Sequence, residues 1–256
     1  MYRYKVEVIF KIGRSLARLE QLYSTKQFVD QPFESHAIAR DALKALQDRC
    51  EEVGLVVSQG LFEQLSKKIA EKTEVGMHGF ANDLSHISDT IAIEMQGVTF
   101  MHVPADRASY YGKLQAFGVE VDTKFPSSKY DIWEAGNCYA AGRFTASVFH
   151  LMRVLEIGLA TLGKVFNVSL AHTNWHPAIE EIEKKIRQMG ADPNKPADWK
   201  TQQEFYSQAA SNFMFLKDAW RNYTAHARGK YTEEEAEQIF RSVKSFMRKL
   251  SERLIE

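Results

Sequence analysis

Cysteine is scarce in this chain of 256 residues: Cys50 and Cys138 stand far apart, without the paired spacing of a metal-binding finger. That excludes a disulfide-built scaffold and a cysteine-rich zinc module, and it predicts two buried thiols in a reducing compartment. An excess of either charge is also lacking. Lys and Arg number 33, as do Asp and Glu, so the formal net charge is zero and affinity for nucleic acid would have to come from a local patch. No apolar run approaches the ~20 residues of a membrane span. Residues 1–7 (M-Y-R-Y-K-V-E) lack the apolar stretch and cleavage site of a secretion signal. There is no internal repeat and no low-complexity segment. The expectation is a cytoplasmic, membrane-free protein with material for one large domain or two small ones.

Helical periodicity is abundant. In residues 6–22, Val8, Ile9, Ile12, Leu16, Leu19 and Leu22 recur at helical steps. After a turn at residues 30–32, a second helix is expected over 34–53, with Ile38, Ala42, Leu46, Cys50 and Val53 on one face and Gly54 as its stop. A third carries Leu61, Phe62, Leu65 and Ile69 and ends before Gly76; a fourth carries Leu84, Ile87, Ile91 and Met95 and ends near Gly97. Residues 98–104 (V-T-F-M-H-V-P) are rich in β-formers and predict a short strand or hairpin; 105–118 predict a helix. His78 and His86, near Asp83 and Asp89, lack the spacing of a metal-binding helix and read as surface residues. His36 and His102 are isolated. No chemistry is assigned to this half, whose expected role is to recognise, regulate or scaffold.

Residues 119–128 (V-E-V-D-T-K-F-P-S-S) form the expected junction, dividing a helical N-terminal domain (1–125) from a helical bundle (126–256). Its apolar Val119, Val121 and Phe125 predict that the halves pack together. Ser128 and Asp131 have the spacing of a capping box that opens the next helix. Two helices are expected to meet near Gly142. The second presents Phe144, Val148, Met152, Leu155, Leu159 and Leu162 to a core, beside a stripe of Phe149, Arg153, Glu156 and Ala160. Gly158 permits close helix approach. Arg153 and Glu156 are spaced for a structural ion pair, and His150 is read as structural. A helix begins at 173–177 (T-N-W-H-P), buries Ile179, Ile182, Ile186 and Met189, and stops at Gly190; His172 and His176 straddle its entry and do not suit a metal. After a proline-bearing loop at 191–199 comes a long helix, and after that Thr232 to Glu235 spell a second capping box. The last helix buries Ala236, Ile239, Phe240, Val243, Phe246, Met247, Leu250 and Leu254, with Arg241, Lys244, Arg248, Lys249 and Arg253 on its polar side.

The long helix carries the chemistry. Residues 203–226 contain neither glycine nor proline, and Phe205, Ala209, Phe213, Leu216, Trp220 and Tyr223 form one apolar face. At about 100° per residue, Asn222 and His226 share a second stripe with Asn212, Phe215 and Ala219, roughly opposite Trp220. Two stripes imply two packing partners, a helix or a subunit. Arg221 to His226 read R-N-x-x-x-H. This resembles the R-x(4–6)-H motif of HEPN domains, small helical domains found in many RNases of defence and toxin systems. The motif ends an amphipathic helix and precedes a short linker and another amphipathic helix, as in that family, and the resemblance covers about the last half of the chain.

The resemblance implies a mainly α protein with an antiparallel C-terminal bundle, acting as a metal-independent endoribonuclease without a cofactor. Histidine suits proton transfer because it titrates near neutrality. Arginine suits phosphate because its planar fork bonds two oxygens and stays charged. His226 and Arg221 are thus the expected catalytic pair, with Asn222 and Glu156 orienting them. Lys217, Arg228, Lys230 and Arg153 are expected to bind RNA. One motif supplies one histidine, so a homodimer with both motifs in one cleft is expected, restrained by an antitoxin or a regulatory protein. Family members paired with nucleotidyltransferases carry a tyrosine two residues after the histidine. Arg228 occupies that place here, so that mode of control is not implied. A non-catalytic RNA- or nucleotide-binding module and a helical scaffold or adaptor are the alternatives.

Overall fold

The computed structural model describes residues 6–24, 37–70, 77–98, 101–169, 175–217 and 230–256. Among these the protein is mainly helical and has no strand. It divides into two compact units, Met1–Phe100 and Met101–Glu256.

The first unit holds α1 (Val6–Ser24), α2 (Ala37–Val53), α3 (Val56–Ala70) and α4 (Met77–Gln96). The periodic residues do pack inward: Ile12, Leu16, Leu19, Leu46, Cys50, Phe62, Leu65, Leu84 and Ile87 are buried. Leu22, expected on the same face, is exposed, because it stands near the helix end. Gly54 stops α2 as its position foretold. It adopts φ 73°, its N–H donates to the Glu51 carbonyl at 3.1 Å, and the Leu55 N–H reaches the Cys50 carbonyl at 2.9 Å. This is the paired closure of a Schellman motif, which a Cβ would disfavour. Helix α3 is capped from another element: Glu94 of α4 accepts from the Val57 and Ser58 N–H groups at 2.9 and 2.8 Å and from the Ser58 hydroxyl. With Lys68 bonded to Asp83 at 3.1 Å at the other end, the contacts run antiparallel along α3 and α4.

The second unit begins with residues 101–118, which form successive turns from 105 onward; the helix expected there is not formed, nor is the expected strand at Val98 or 101–104, while Thr99 and Phe100 lie outside the described residues. A lone strand has no neighbour to satisfy its backbone groups. A helix over 105–118 is interrupted by left-handed conformations at Gly112 (φ 59°), Gln115 (φ 55°) and Gly118 (φ 107°). Then come α5 (Val119–Lys124), a 3-10 turn (Pro126–Ser128), α6 (Lys129–Ala140), α7 (Phe144–Val165), α8 (Trp175–Gln188), α9 (Trp199–Leu216) and α10 (Glu233–Ser251). Val121 and Phe125, expected at the junction, lie fully buried in this unit's core.

Helices α6 and α7 form an antiparallel hairpin turning at Gly142, where the chain reverses as expected: Ser147 Oγ donates to the Ala135 carbonyl at 2.8 Å, and Asp131 at the far end meets His150 and Arg153. Helices α8 and α9 form a second, with Gln203 donating to the Ile186 carbonyl at 2.8 Å and Lys217 reaching back to His176. Helix α10 runs in the same sense as α7, so the bundle is not antiparallel throughout: Tyr231 sits at Thr145, and Met247 and Leu250 at Gly158. A Cβ on Gly158 would lie 3.1 to 3.3 Å from Leu250, Met247 and Phe213, which is the close approach its glycine allows. The expected core faces of α7, α8, α9 and α10 are buried, apart from Phe144 and Met189, which are partly buried, and Trp220 and Tyr223, which lie outside the described residues. Thr232 and Glu235 close the reciprocal capping box of α10. By length and composition α7 could cross a membrane, alone among the described helices; 61% of its apolar window is buried in the core, which accounts for that composition.

Candidate functional site

Of the residues expected to carry the chemistry, Arg221, Asn222, His226 and Arg228 lie outside the described residues. The neighbours expected to support them can be placed. Helix α9 buries Phe205, Ala209, Phe213 and Leu216 while Asn212 and Phe215 on the second stripe are exposed. Glu156 stands exposed on α7 and accepts from Trp175 Nε1 at 3.3 Å. Trp175 is buried at the head of α8 and meets Phe213 edge-on, with ring centroids 6.1 Å apart. The next residue, His176, lies 3.3 Å from Glu180 and 3.5 Å from Lys217 Nζ. Glu156, Trp175, His176 and Lys217 thus gather at the end of α9, four residues before Arg221 in the sequence. Lys230 is elsewhere. Its neighbour Tyr231 donates to Thr145 Oγ1 at 3.1 Å, and eleven residues of α7 from there to Glu156 correspond to about 16 Å.

Arg153 does not pair with Glu156 as expected. Its Nε donates to Asp131 Oδ1 at 2.8 Å, across the α6–α7 hairpin. Its basicity is raised by that hydrogen bond first and then by the attraction of the same carboxylate. The expected capping box of α6 is also absent: Ser128 makes no cap bond, and its hydroxyl donates to the Phe125 carbonyl at 2.7 Å. Asp131 is instead buried, 4% exposed at its side chain, and accepts from both Arg153 Nε and His150 Nδ1, each at 2.8 Å. A carboxylate that draws two donors from the facing helix stabilises the hairpin more than one spent on its own helix end.

His150, read as structural, is therefore bound to a buried carboxylate that it shares with Arg153. It also belongs to a wider cluster: its ring, the Glu134 carboxylate and the Cys138 thiol offer donor atoms that all lie within 4.8 Å of one another. Asp131, Glu134 and Cys138 follow at steps of three and four, which places them on one face of α6. The rings of Tyr130 and Phe149 meet His150 nearly edge-on, at 6.3 and 6.0 Å. The sequence signal was D-x-x-E-x-x-x-C on one helix and H-x-x-R on the next, and only the hairpin superposes them. As a nucleophile Cys138 is poorly placed. Burial raises its thiol and the Glu134 carboxylate raises it further, against a smaller opposing effect from Arg143. Cys50, fully buried in the first unit, is raised to about 12 by burial and by Glu94.

The basic side of α10 is largely engaged within the chain. Arg241 pairs with Glu237 at 2.5 Å, Lys249 with Glu252 at 2.7 Å, and Arg253 lies 3.7 Å from Asp198 and over the Phe205 ring. Lys244 is held below the usual lysine range by burial, then by Lys113 and Arg248.

Comparison with models of known protein families, with curated proteins and with solved structures returned no match.

Proposed function

We propose that the second unit is a metal-independent endoribonuclease of HEPN type, working as a homodimer in which two R-N-x-x-x-H segments face one cleft. The observation that carries the reading is the convergence of Glu156, His176 and Lys217 at the end of α9, with Arg221 four residues after Lys217 in the sequence. His226 takes the 2′-hydroxyl proton, its counterpart in the partner protonates the leaving 5′-oxygen, and the two Arg221 side chains neutralise the charged phosphorane. Lys217 adds a cation beside the site and Glu156 an orienting carboxylate. Asn212 and Phe215, the latter 62% exposed, belong to the dimer face. Arg153, committed to Asp131, contributes to the hairpin rather than to RNA.

The test is cleavage of a labelled RNA pool in EDTA by wild type and by His226→Ala, both first sized for oligomeric state. The reading requires that only wild type cuts, leaving 2′,3′-cyclic phosphate ends, while both proteins are dimers. Equal cutting by both removes His226 from the chemistry. Salt-sensitive RNA binding without cutting by either protein, lost with Arg221→Ala, would favour the non-catalytic binding module.

A further inference from the structure

We propose that Glu134, Cys138 and His150 form a binding site for a divalent transition-metal ion of the zinc class, clamping the α6–α7 hairpin, with Asp131 as the support that orients the histidine. The site is independent of the ribonuclease reading and uses none of its residues.

The donor chemistry is the first argument. One thiol sulfur, one imidazole nitrogen and one carboxylate oxygen are the set that zinc and its neighbours bind, and three protein donors leave one position for water. Placement is the second. Glu134 and Cys138 are one turn apart on α6 and His150 faces them from α7, with all three donor atoms within 4.8 Å of one another. A tetrahedral ion with bonds of about 2.0 to 2.3 Å holds its donors about 3.5 Å apart, so the cluster has to close by little more than an ångström. The torsions of the partly exposed Glu134 side chain supply much of that.

The third argument is the tautomer. Asp131 Oδ1 lies 2.8 Å from His150 Nδ1, which holds the imidazole proton there and leaves the lone pair on Nε2. A carboxylate behind a histidine in this way is the outer-shell arrangement that orients metal-bound imidazole. Asp131 is itself fixed by Arg153 Nε at 2.8 Å, so it cannot turn away. Burial is the fourth. Cys138 is 7% exposed and the His150 side chain 20%, which shields the donors while leaving a path for an ion. An ion pair of Glu134 with a lysine or arginine would have argued against the site, and the described residues provide none.

The experiment uses the full chain, stripped with chelator, exchanged into chelator-free buffer and titrated with cobalt(II), then with zinc(II) as competitor. Wild type is expected to bind cobalt stoichiometrically with a thiolate-to-cobalt charge-transfer band in the near ultraviolet, and zinc is expected to abolish the band. Cys138→Ser should remove the band, and Glu134→Gln and His150→Gln should each weaken binding. Asp131→Asn, which touches no metal, should weaken it by about 10- to 100-fold while keeping the band's position. Absence of stoichiometric binding in wild type overturns the site. So does a band that survives Cys138→Ser, which would put the sulfur at Cys50, or affinity unchanged in both Glu134→Gln and His150→Gln. Should Cys138→Ser fail to fold, those two variants decide.

Discussion

A single methyl group tests the packing of the second unit. Gly136 lies in the middle of α6, and a Cβ there would sit 2.8 Å from the Tyr110 carbonyl oxygen. Replacing glycine by alanine in a helix interior ordinarily gains about 1 kcal/mol. Here the added atom meets backbone, which cannot rotate aside. The 101–118 segment is also pinned over α6: the Gly112 N–H donates to Asn137 Oδ1 at 2.7 Å, and the Tyr110 ring packs on Tyr139 and Phe240 at 4.6 and 5.2 Å. Overpacking of this kind costs about 1 to 3 kcal/mol, so Gly136→Ala should be net destabilising by about 1 kcal/mol, or about 2 to 4 °C in Tm. Gly13, in α1, has nothing within 4 Å of its Cβ position, and Gly13→Ala should stabilise the first unit by up to about 1 kcal/mol. The two are read separately, because Trp133, Trp175, Trp199 and Trp220 all lie in the second unit. Urea unfolding followed by tryptophan fluorescence should move to lower denaturant in Gly136→Ala and stay fixed in Gly13→Ala, whose gain appears by far-ultraviolet circular dichroism. A higher fluorescence midpoint for Gly136→Ala would refute the close approach of residues 101–118 to α6.

Three further outcomes follow from specific contacts. Gly158→Ala would bring its methyl to 3.1 to 3.3 Å from three side-chain ends, which can give, so its fluorescence midpoint should change by less than about 1 kcal/mol, whereas Gly158→Leu should lose about 1 to 3 kcal/mol. Thr232→Ala removes the cap of α10 and should cost about 1 kcal/mol in the same assay. Glu94 ties pH to the first unit: burial raises its carboxyl, but the Ser58 hydroxyl and the Val57 and Ser58 N–H groups bring it below the ordinary 4.5. A lowered folded-state value stabilises the fold above the ordinary carboxylate range, and that contribution is lost as pH falls through the lowered value. Helicity lost by the first unit on acidification should therefore be less pH-dependent in Glu94→Gln, which starts from lower stability at neutral pH.

Much of the helical architecture was legible because each core face repeats over several turns. Residues such as Val243, Phe246, Met247 and Leu250 reinforce one reading, and tertiary packing has no reason to oppose it. Residues 101–118 misled for the converse reason. Met101, His102 and Val103 continue a run of strand-forming side chains, but a strand is stabilised by a partner that this chain does not offer among the described residues. The apolar content of 105–118 supplies Ala116 and Phe117 to the core through turns, where spacing along the chain carries no period to detect. The Glu134, Cys138 and His150 cluster was invisible for a related reason: its members are ordinary residues on two helices, and only the turn at Gly142 brings His150 to the pair on α6.

Asp131 shows how a locally correct signal is overruled. Three residues after a serine, at the start of a helix, an acidic side chain gains about 1 kcal/mol by capping. The same carboxylate, turned inward, satisfies His150 and Arg153 at once, and hydrogen bonds to charged partners contribute roughly 1.5 to 3 kcal/mol each. Arg153 is half exposed, so its share is reduced by solvent screening, yet the buried alternative still exceeds the cap. The choice has consequences further along α7. With Arg153 drawn toward α6, Glu156 is left to meet Trp175 at the head of α8. Glu156 is thereby presented where α8 and the end of α9 converge. One buried aspartate thus sets both the orientation of His150 in the proposed metal site and the partner of Glu156 beside the proposed ribonuclease site. Asp131→Asn, whose side-chain oxygen can still accept from Arg153 and hold it away from Glu156, should consequently loosen metal binding while leaving RNA cleavage in EDTA intact.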